Sequence, residues 1–277
     1  MGKTMGFFQN FSLDLQRLSS ALNYVQNNPQ TSHEDLARSM SVNRPVAEGF
    51  SAWLRHTGLV KIITRQDSQP TKIYQLTDFG QLVCQYDSTL SDLGTQWILH
   101  YYLSVKQEET SEAWYMLFNY FLPHCFDFTS DKFQMYFEDK VGVEAKNRSA
   151  LKKDPIAALS TYVRPDALAK LNILEKHDKT YQISRPDYPS SLIIGYMLFD
   201  WWQHRYNFSN TLRFSQLCED DESIGRLCLA DRNQIRRFVI DLTRLGYVSF
   251  SDTQHEPVNR LQQIPASSLL ERYYQQQ

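Results

Sequence analysis

Ser32-His33-Glu34-Asp35-Leu36-Ala37-Arg38-Ser39-Met40, then Ser41-Val42-Asn43-Arg44-Pro45, then Val46 to Gly80, is the stretch that decides how this chain is read. Ser32 is placed to cap a helix, and Asp35 three residues on makes an acidic variant of the capping box. Leu36 and Met40 lie four apart and give that helix one apolar face. Ser41-Val42-Asn43-Arg44 makes a turn. Pro45 suits the first position of a second helix, where no backbone donor is needed. Val46, Phe50, Trp53 and Leu54 recur at helical spacing and face a core. Gly58 stops the helix. Val60-Lys61-Ile62-Ile63 and Ile73-Tyr74-Gln75-Leu76 are β-prone runs joined by the turn Asp67-Ser68-Gln69-Pro70-Thr71. Helix, turn, helix, hairpin is the order of a winged helix-turn-helix.

Working outward, Phe11 to Asn27 reads as a scaffold helix. Its stripe is Leu13, Leu18, Ala21, Leu22 and Val25, and Asn27-Asn28-Pro29 ends it. After the hairpin, Thr77 is the expected cap of a further helix. From Ser91 to Pro123 aromatics fall nearly all round two helices, with Trp97, Tyr101, Tyr102, Trp114, Phe118, Tyr120 and Phe121 among them. That pattern means burial on more than one side.

From Thr129 the first pattern returns in weaker form. Ser130 is the expected cap of a helix with Phe133, Tyr136, Phe137 and Val141 on one face. Leu151 to Val163 is a second helix with Ile156, Leu159 and Val163 inward, and a strand follows at Thr180-Tyr181-Gln182-Ile183. Asp187-Tyr188-Pro189 is a linker. Ser191 to Tyr206 is a strongly apolar helix. Ala230-Asp231 caps a helix whose inward face is Ile235, Phe238, Leu242 and Leu245. Gly246 ends it, Tyr247-Val248-Ser249-Phe250 is a strand, and His255-Glu256-Pro257 turns into Val258 to Ile264. The tail with Gln275-Gln276-Gln277 is expected to fray.

The expected fold is mostly α with short β-hairpins, as multiple winged helix-turn-helix units around a helical core. Residues 1–90 form an N-terminal winged helix and 91–128 an aromatic-rich helical core. Residues 129–186 form a degenerate winged-helix-like unit and 187–277 a C-terminal winged-helix-like domain.

Composition bounds the function. The 277 residues are 42% hydrophobic and 13% aromatic, ample for packed cores. Mean hydropathy is -0.48 and no apolar run approaches a membrane helix, so no membrane partner is expected. Met1 to Phe8 shows no secretory pattern, and Cys84, Cys125, Cys218 and Cys228 have no paired spacing. Together these point to a reduced, cytoplasmic protein. The formal net charge of -2 shows no global basic excess, so contact with DNA has to come from a local patch.

Catalytic patterns are missing. The histidines have no metal-motif spacing, and His124-Cys125 is a pair without a second half. There is no nucleophile elbow. Gly2-Lys3-Thr4 lacks the strand and glycine loop of a phosphate-binding motif. Asp220-Asp221-Glu222 has the acidity that metal-dependent hydrolysis uses, but it reads better as a solvated acidic turn. No metal, cofactor or catalytic residue is expected.

The residues left with a chemistry to offer are cationic or amide side chains suited to DNA. On the first recognition helix they are Asn43, Arg44, Ser51 and Arg55, with Glu48 on the same face. The first wing adds Lys61, Arg65 and Lys72. The last helix carries Arg232, Asn233, Arg236, Arg237 and Arg244. Lys146, Arg148, Lys152 and Lys153 make a third basic spot. Each set has a plainer reading as an ordinary solvated helix face.

Several stretches together resemble a bacterial domain-of-unknown-function family. They are Phe7-Phe8-Gln9-Asn10-Phe11, Glu34-Asp35-Leu36-Ala37, Asn43-Arg44, Trp53-Leu54, Gly58-Leu59, Leu76-Thr77-Asp78-Phe79-Gly80, and Gly94 to Tyr101 with Ala113-Trp114. The resemblance covers most of the chain and is clearest from Phe7 to Pro123. That family is often encoded beside phosphoadenosine-phosphosulfate-reductase-like proteins, in DNA phosphorothioation and phage-defence loci. The resemblance implies a neighbourhood and carries over no catalytic residue. The expectation is therefore a non-enzymatic, DNA-associated accessory subunit of such a system. Its partners would be duplex DNA, a reductase-like or other defence protein, and a second copy in a homodimer. A winged-helix transcriptional regulator and a protein-interaction scaffold without DNA binding are the alternatives.

Overall fold

Side-chain caps set most of the helix boundaries, so local chemistry accounts for much of the element order. The computed structural model describes residues 2–8, 10–65, 71–107, 109–142, 148–207 and 209–277, with the backbone alone at 2–4, 64–65, 71–72, 109 and 148. The described chain is mostly helical with small sheets, all but one of them antiparallel. It divides into two compact units, Met1–Leu117 with Cys125–Asp187, and Phe118–His124 with Tyr188–Gln277.

The first unit starts with β1 (Gly2–Thr4) and α1 (Leu15–Asn27). Asp14 caps α1 by accepting from the Arg17 N–H at 2.9 Å, so the helix starts four residues later than Phe11. The reason lies in Phe11, whose carbonyl is held by the Trp53 indole N–H at 2.8 Å and is not free to enter a helix. Next come α2 (His33–Ser39) and α3 (Arg44–His56). Ser32 Oγ accepts from the Asp35 N–H and donates to its carboxylate, closing the acidic capping box. Asn43 caps α3 through the Val46 N–H. Gly58, at φ +75°, turns the chain out of α3 into β2 (Val60–Arg65), which pairs antiparallel with β3 (Thr71–Leu76). Thr77 then caps α4 (Asp78–Tyr86) through the Gly80 N–H, as its sequence position implies.

The middle of this unit is α5 (Leu93–Ser104), β4 (Glu109–Ser111) and α6 (Glu112–Met116), with β4 parallel to β1. Trp53 and Trp114 meet edge to face at 5.5 Å, and Phe7 fits beside both, stacked on His56. Aromatic pairs of this kind add to the stabilisation from burial alone. The unit ends with β5 (Asp127–Thr129), α7 (Ser130–Val141), α8 (Arg148–Thr161), β6 (Leu174–His177) and β7 (Thr180–Ile183). Thr129, not Ser130, caps α7. Ile156 is 51% exposed, a correction to its inward reading, because Leu151, Ala158, Leu159 and Tyr162 make the buried stripe instead.

The second unit holds α9 (Ser191–Tyr206), β8 (Thr211–Arg213), α10 (Phe214–Glu219), α11 (Ile224–Leu227), α12 (Arg232–Arg244), β9 (Val248–Phe250), β10 (Pro257–Arg260) and α13 (Ala266–Tyr274). The helix α13, which the sequence reading did not give, buries Leu269, Leu270 and Tyr274, and Gln275, Gln276 and Gln277 lie exposed beyond it. Val239 replaces Leu245 on the inward face of α12, and Leu245 is exposed.

One arrangement recurs. In both β5-α7-α8-β6-β7 and β8-α10-α11-α12-β9-β10, the strand before the helices pairs with the last strand, which pairs with the middle one. No helix among the described residues is long and apolar enough to cross a membrane.

Candidate nucleic-acid interface

The helices α3 and α12 share a build. Each has thirteen residues, a side-chain cap from Asn43 or Asp231, and a left-handed glycine after its end, Gly58 or Gly246. Their burial separates them. In α3, Val46, Ala47, Gly49, Phe50, Ser51, Trp53, Leu54 and His56 are all buried, which leaves only a narrow outer strip. In α12 the buried residues are Ile235, Phe238, Val239 and Leu242, and most of the circumference faces out.

The α3 candidates are largely engaged within the chain. Asn43 spends its side-chain oxygen on the cap. Arg44 Nε donates to Glu48 at 2.8 Å, and its Nη1 pairs with Glu34 at 2.5 Å. The hydrogen bond to Arg44 holds the Glu48 carboxyl below its usual range. Ser51 is buried, where the sequence placed it on an outward face. Its hydroxyl shares a hydrogen bond of 2.7 Å with Tyr74, and His33 reaches it at 3.3 Å. The β3 strand therefore covers the helix face that spacing alone leaves open. Arg55 is half-buried. Lys61 is exposed on β2, whereas the side chains of Arg65 and Lys72 lie outside the described residues although their backbones pair in the hairpin. Of the third basic spot, Lys146 and the Arg148 side chain also lie outside the described residues. Lys152 is exposed, and Lys153 donates to Asn10 at 2.8 Å.

The α12 candidates split in two. Arg232 and Arg236 turn toward the hairpin, and each donates to one oxygen of the Glu256 carboxylate. Arg236 also pairs with Asp252 at 3.2 Å, and Arg232 lies 3.9 Å from Glu219. Their guanidinium groups sit over the Phe214 ring at 4.9 and 5.2 Å, with Arg236 also 5.2 Å from Phe250. Asn233, Arg237 and Arg244 point away from the buried face, beside Arg232 and Arg236, and are exposed, forming one stripe with the partly exposed Ile240. Arg237 has only a contact of 3.5 Å with Gln234 among the described residues. Arg244 pairs with Asp241 at 3.1 Å, both side chains being well exposed, which makes a weak and exchangeable pair.

Sequence spacing missed Glu256, since a turn residue gives no periodic signal. It also missed Phe214 and Phe250, whose role needs the third dimension. The acidic run is less solvated than expected. Tyr206 donates to Asp220, Tyr120 donates to Asp221, and the Asn119 amide oxygen accepts from the Glu222 N–H. No group of side chains among the described residues has the make-up of a metal site.

The architecture defines a mostly helical protein with small sheets and a basic helix stripe on its second unit. The chain belongs to the family described as protein of unknown function (DUF4007), whose model matches residues 8–274. No curated protein matches it. Among solved structures it is similar to SspB, in a crystal structure of that protein and in a magnesium ion-bound one. Each has a TM-score of 0.82 and 15% identity, over 99% of this chain and 88% of that one. At that identity the likeness is one of fold.

Proposed function

We propose that this chain is a non-enzymatic accessory subunit of a DNA-modification system of the phosphorothioation type, or of a related phage-defence system. It holds duplex DNA, docks a partner enzyme, or does both. The recurring strand-helix-helix-strand-strand arrangement is read as winged-helix units, and α12 as the helix that meets DNA. The observation that carries this reading is the outward stripe of Asn233, Arg237 and Arg244, cationic and open on a helix with a hairpin beside it. Arginine and asparagine suit base edges and phosphates alike. The SspB-like fold supports the reading, beside the locus type that the sequence resemblance implies.

Fluorescence anisotropy with a labelled duplex at low salt tests it. The wild-type chain is expected to bind with a clear salt dependence, and R237A/R244A to weaken binding and flatten the salt slope by about 2. Absence of binding, with and without a reductase-like partner, overturns the reading of α12 as the helix that meets DNA.

A protein-interaction scaffold is the second reading. What favours it is the internal pairing of Arg44, Arg232 and Arg236, which takes three of the candidate DNA-binding cations out of play on a chain of net charge -2. A salt-insensitive pull-down of a neighbouring gene product, without duplex binding, would favour the scaffold. A transcriptional regulator would instead bind its own promoter at fixed half-site spacing.

A further inference from the structure

We propose that Arg232 and Arg236 form a two-cation seat for a nucleic-acid phosphodiester, which the Glu256 carboxylate fills until a phosphate displaces it. The proposal rests on the DNA reading above and adds a mask to it. Each guanidinium lies over an aromatic ring, so its donor edge is turned toward an acceptor beside the rings. Both edges converge on a single anion: Glu256 Oε2 takes Arg232 and Oε1 takes Arg236. A phosphodiester has the same form, with two equivalent oxygens sharing one negative charge.

The backbone presents Glu256 firmly. Its φ is +40°, its N–H donates to Thr253 O at 3.0 Å, and its carbonyl accepts from the Phe214 N–H at 3.0 Å. The carboxylate is set by the hairpin and not by the helix, so the wing itself brings the mask. Glu219 and Asp252 add two more carboxylates around the two cations, and the corner as a whole carries no positive excess. The arginine side chains nevertheless remain 49% and 31% exposed, open enough for an outside anion to compete. They also flank the Asn233–Arg237–Arg244 stripe, so a duplex on that stripe brings phosphates near the seat.

Glu256→Gln tests the mask, since the amide keeps the shape and loses the charge. Full-length wild type, E256Q, R232Q/R236Q and E256Q/R232Q/R236Q are titrated with a labelled duplex from about 50 to 300 mM salt, and their folds are compared by thermal melting. E256Q is expected to bind about tenfold more tightly at low salt, with a salt slope steeper by about 1 to 2. The triple variant is expected to lose that gain. R232Q/R236Q is expected to bind at least about threefold more weakly than wild type, because the seat is lost and the Glu219, Asp252 and Glu256 carboxylates then face the duplex unpaired. This variant also serves as the test if E256Q fails to fold. If wild type binds but E256Q does not gain, or R232Q/R236Q binds as tightly as wild type, the masked seat is wrong and the DNA reading stands. If no folded variant binds at all, both fall.

Discussion

Asp154 sits 1% exposed inside α8, where its Oδ2 accepts from the Gly6 N–H at 2.8 Å and its Oδ1 has no hydrogen-bond partner among the described residues. Burial pushes this carboxyl up to about 7, so the native state keeps a proton that the unfolded chain releases near 3.8. The stability that this proton confers is fully present below the unfolded value and lost as pH rises through about 7. His56 works against it: burial lowers its pKa to about 3, so stability is gained as pH rises from there to 6.5. Asp154→Asn removes the first effect and keeps the shape. Its melting temperature is expected to exceed wild type at pH 8, with a gain bounded at about 4 kcal/mol, and to converge on wild type at pH 4. An equal shift at both pH values would show that the carboxyl is not the cause. Ser51 shows what single residues conceal in a sequence. By spacing it belongs to the outside of a helix, yet Tyr74, far along the chain, closes over it. Helical periodicity reports one element and cannot register a second element packed against its polar side.

Elements were legible where a cap states them. Ser32, Thr77 and Asp231 each bond a backbone N–H three residues on and are read directly, whereas Asn43, read as a turn residue, caps in the same way. The three-residue strands β1, β4, β5 and β8 left no such trace, because each exists only through a distant partner. The paired helix ends allow a differential test. Gly58 and Gly246 have nearly the same φ, +75° and +76°, but a Cβ at Gly58 would lie 2.4 Å from the Tyr102 ring, whereas at Gly246 nothing stands within 4 Å. Tyr102 is stacked on Phe79 at 5.7 Å and has little freedom to yield. Gly246→Ala is expected to cost about 1 kcal/mol from backbone conformation alone. Gly58→Ala adds overpacking and should cost about 2 to 4 kcal/mol in all. Chemical denaturation of both variants checks this, and equal losses would mean that the Tyr102 contact relaxes freely.

At the scale of the whole chain, the second unit is not a continuous piece of sequence. Residues 118–124 belong with 188–277, an assignment no linear reading could make, because the linker at Asp187-Tyr188-Pro189 looks like a clean start. Within that unit the buried Asn119 accepts from the Glu222 N–H, and Tyr120 donates to Asp221, so the borrowed segment fixes the loop between α10 and α11. Phe118, Phe121 and Leu122 are buried as well. Each such side chain contributes about 1.5 to 3 kcal/mol of burial, and a domain of this size has only about 5 to 15 kcal/mol in total. A fragment of residues 188–277 therefore loses a share of its core comparable to its whole stability. It is expected to lack a cooperative melt by circular dichroism and to bind a hydrophobic dye, while the full chain does neither. A fragment that melts cooperatively near the full-length temperature would show that 118–124 is a passenger. In that case the second unit, with its α12 stripe, could be studied alone. If the fragment is unfolded, every duplex measurement on α12 has to be made in the intact chain, because the loop fixed by Asn119 and Tyr120 leads through α11 into α12.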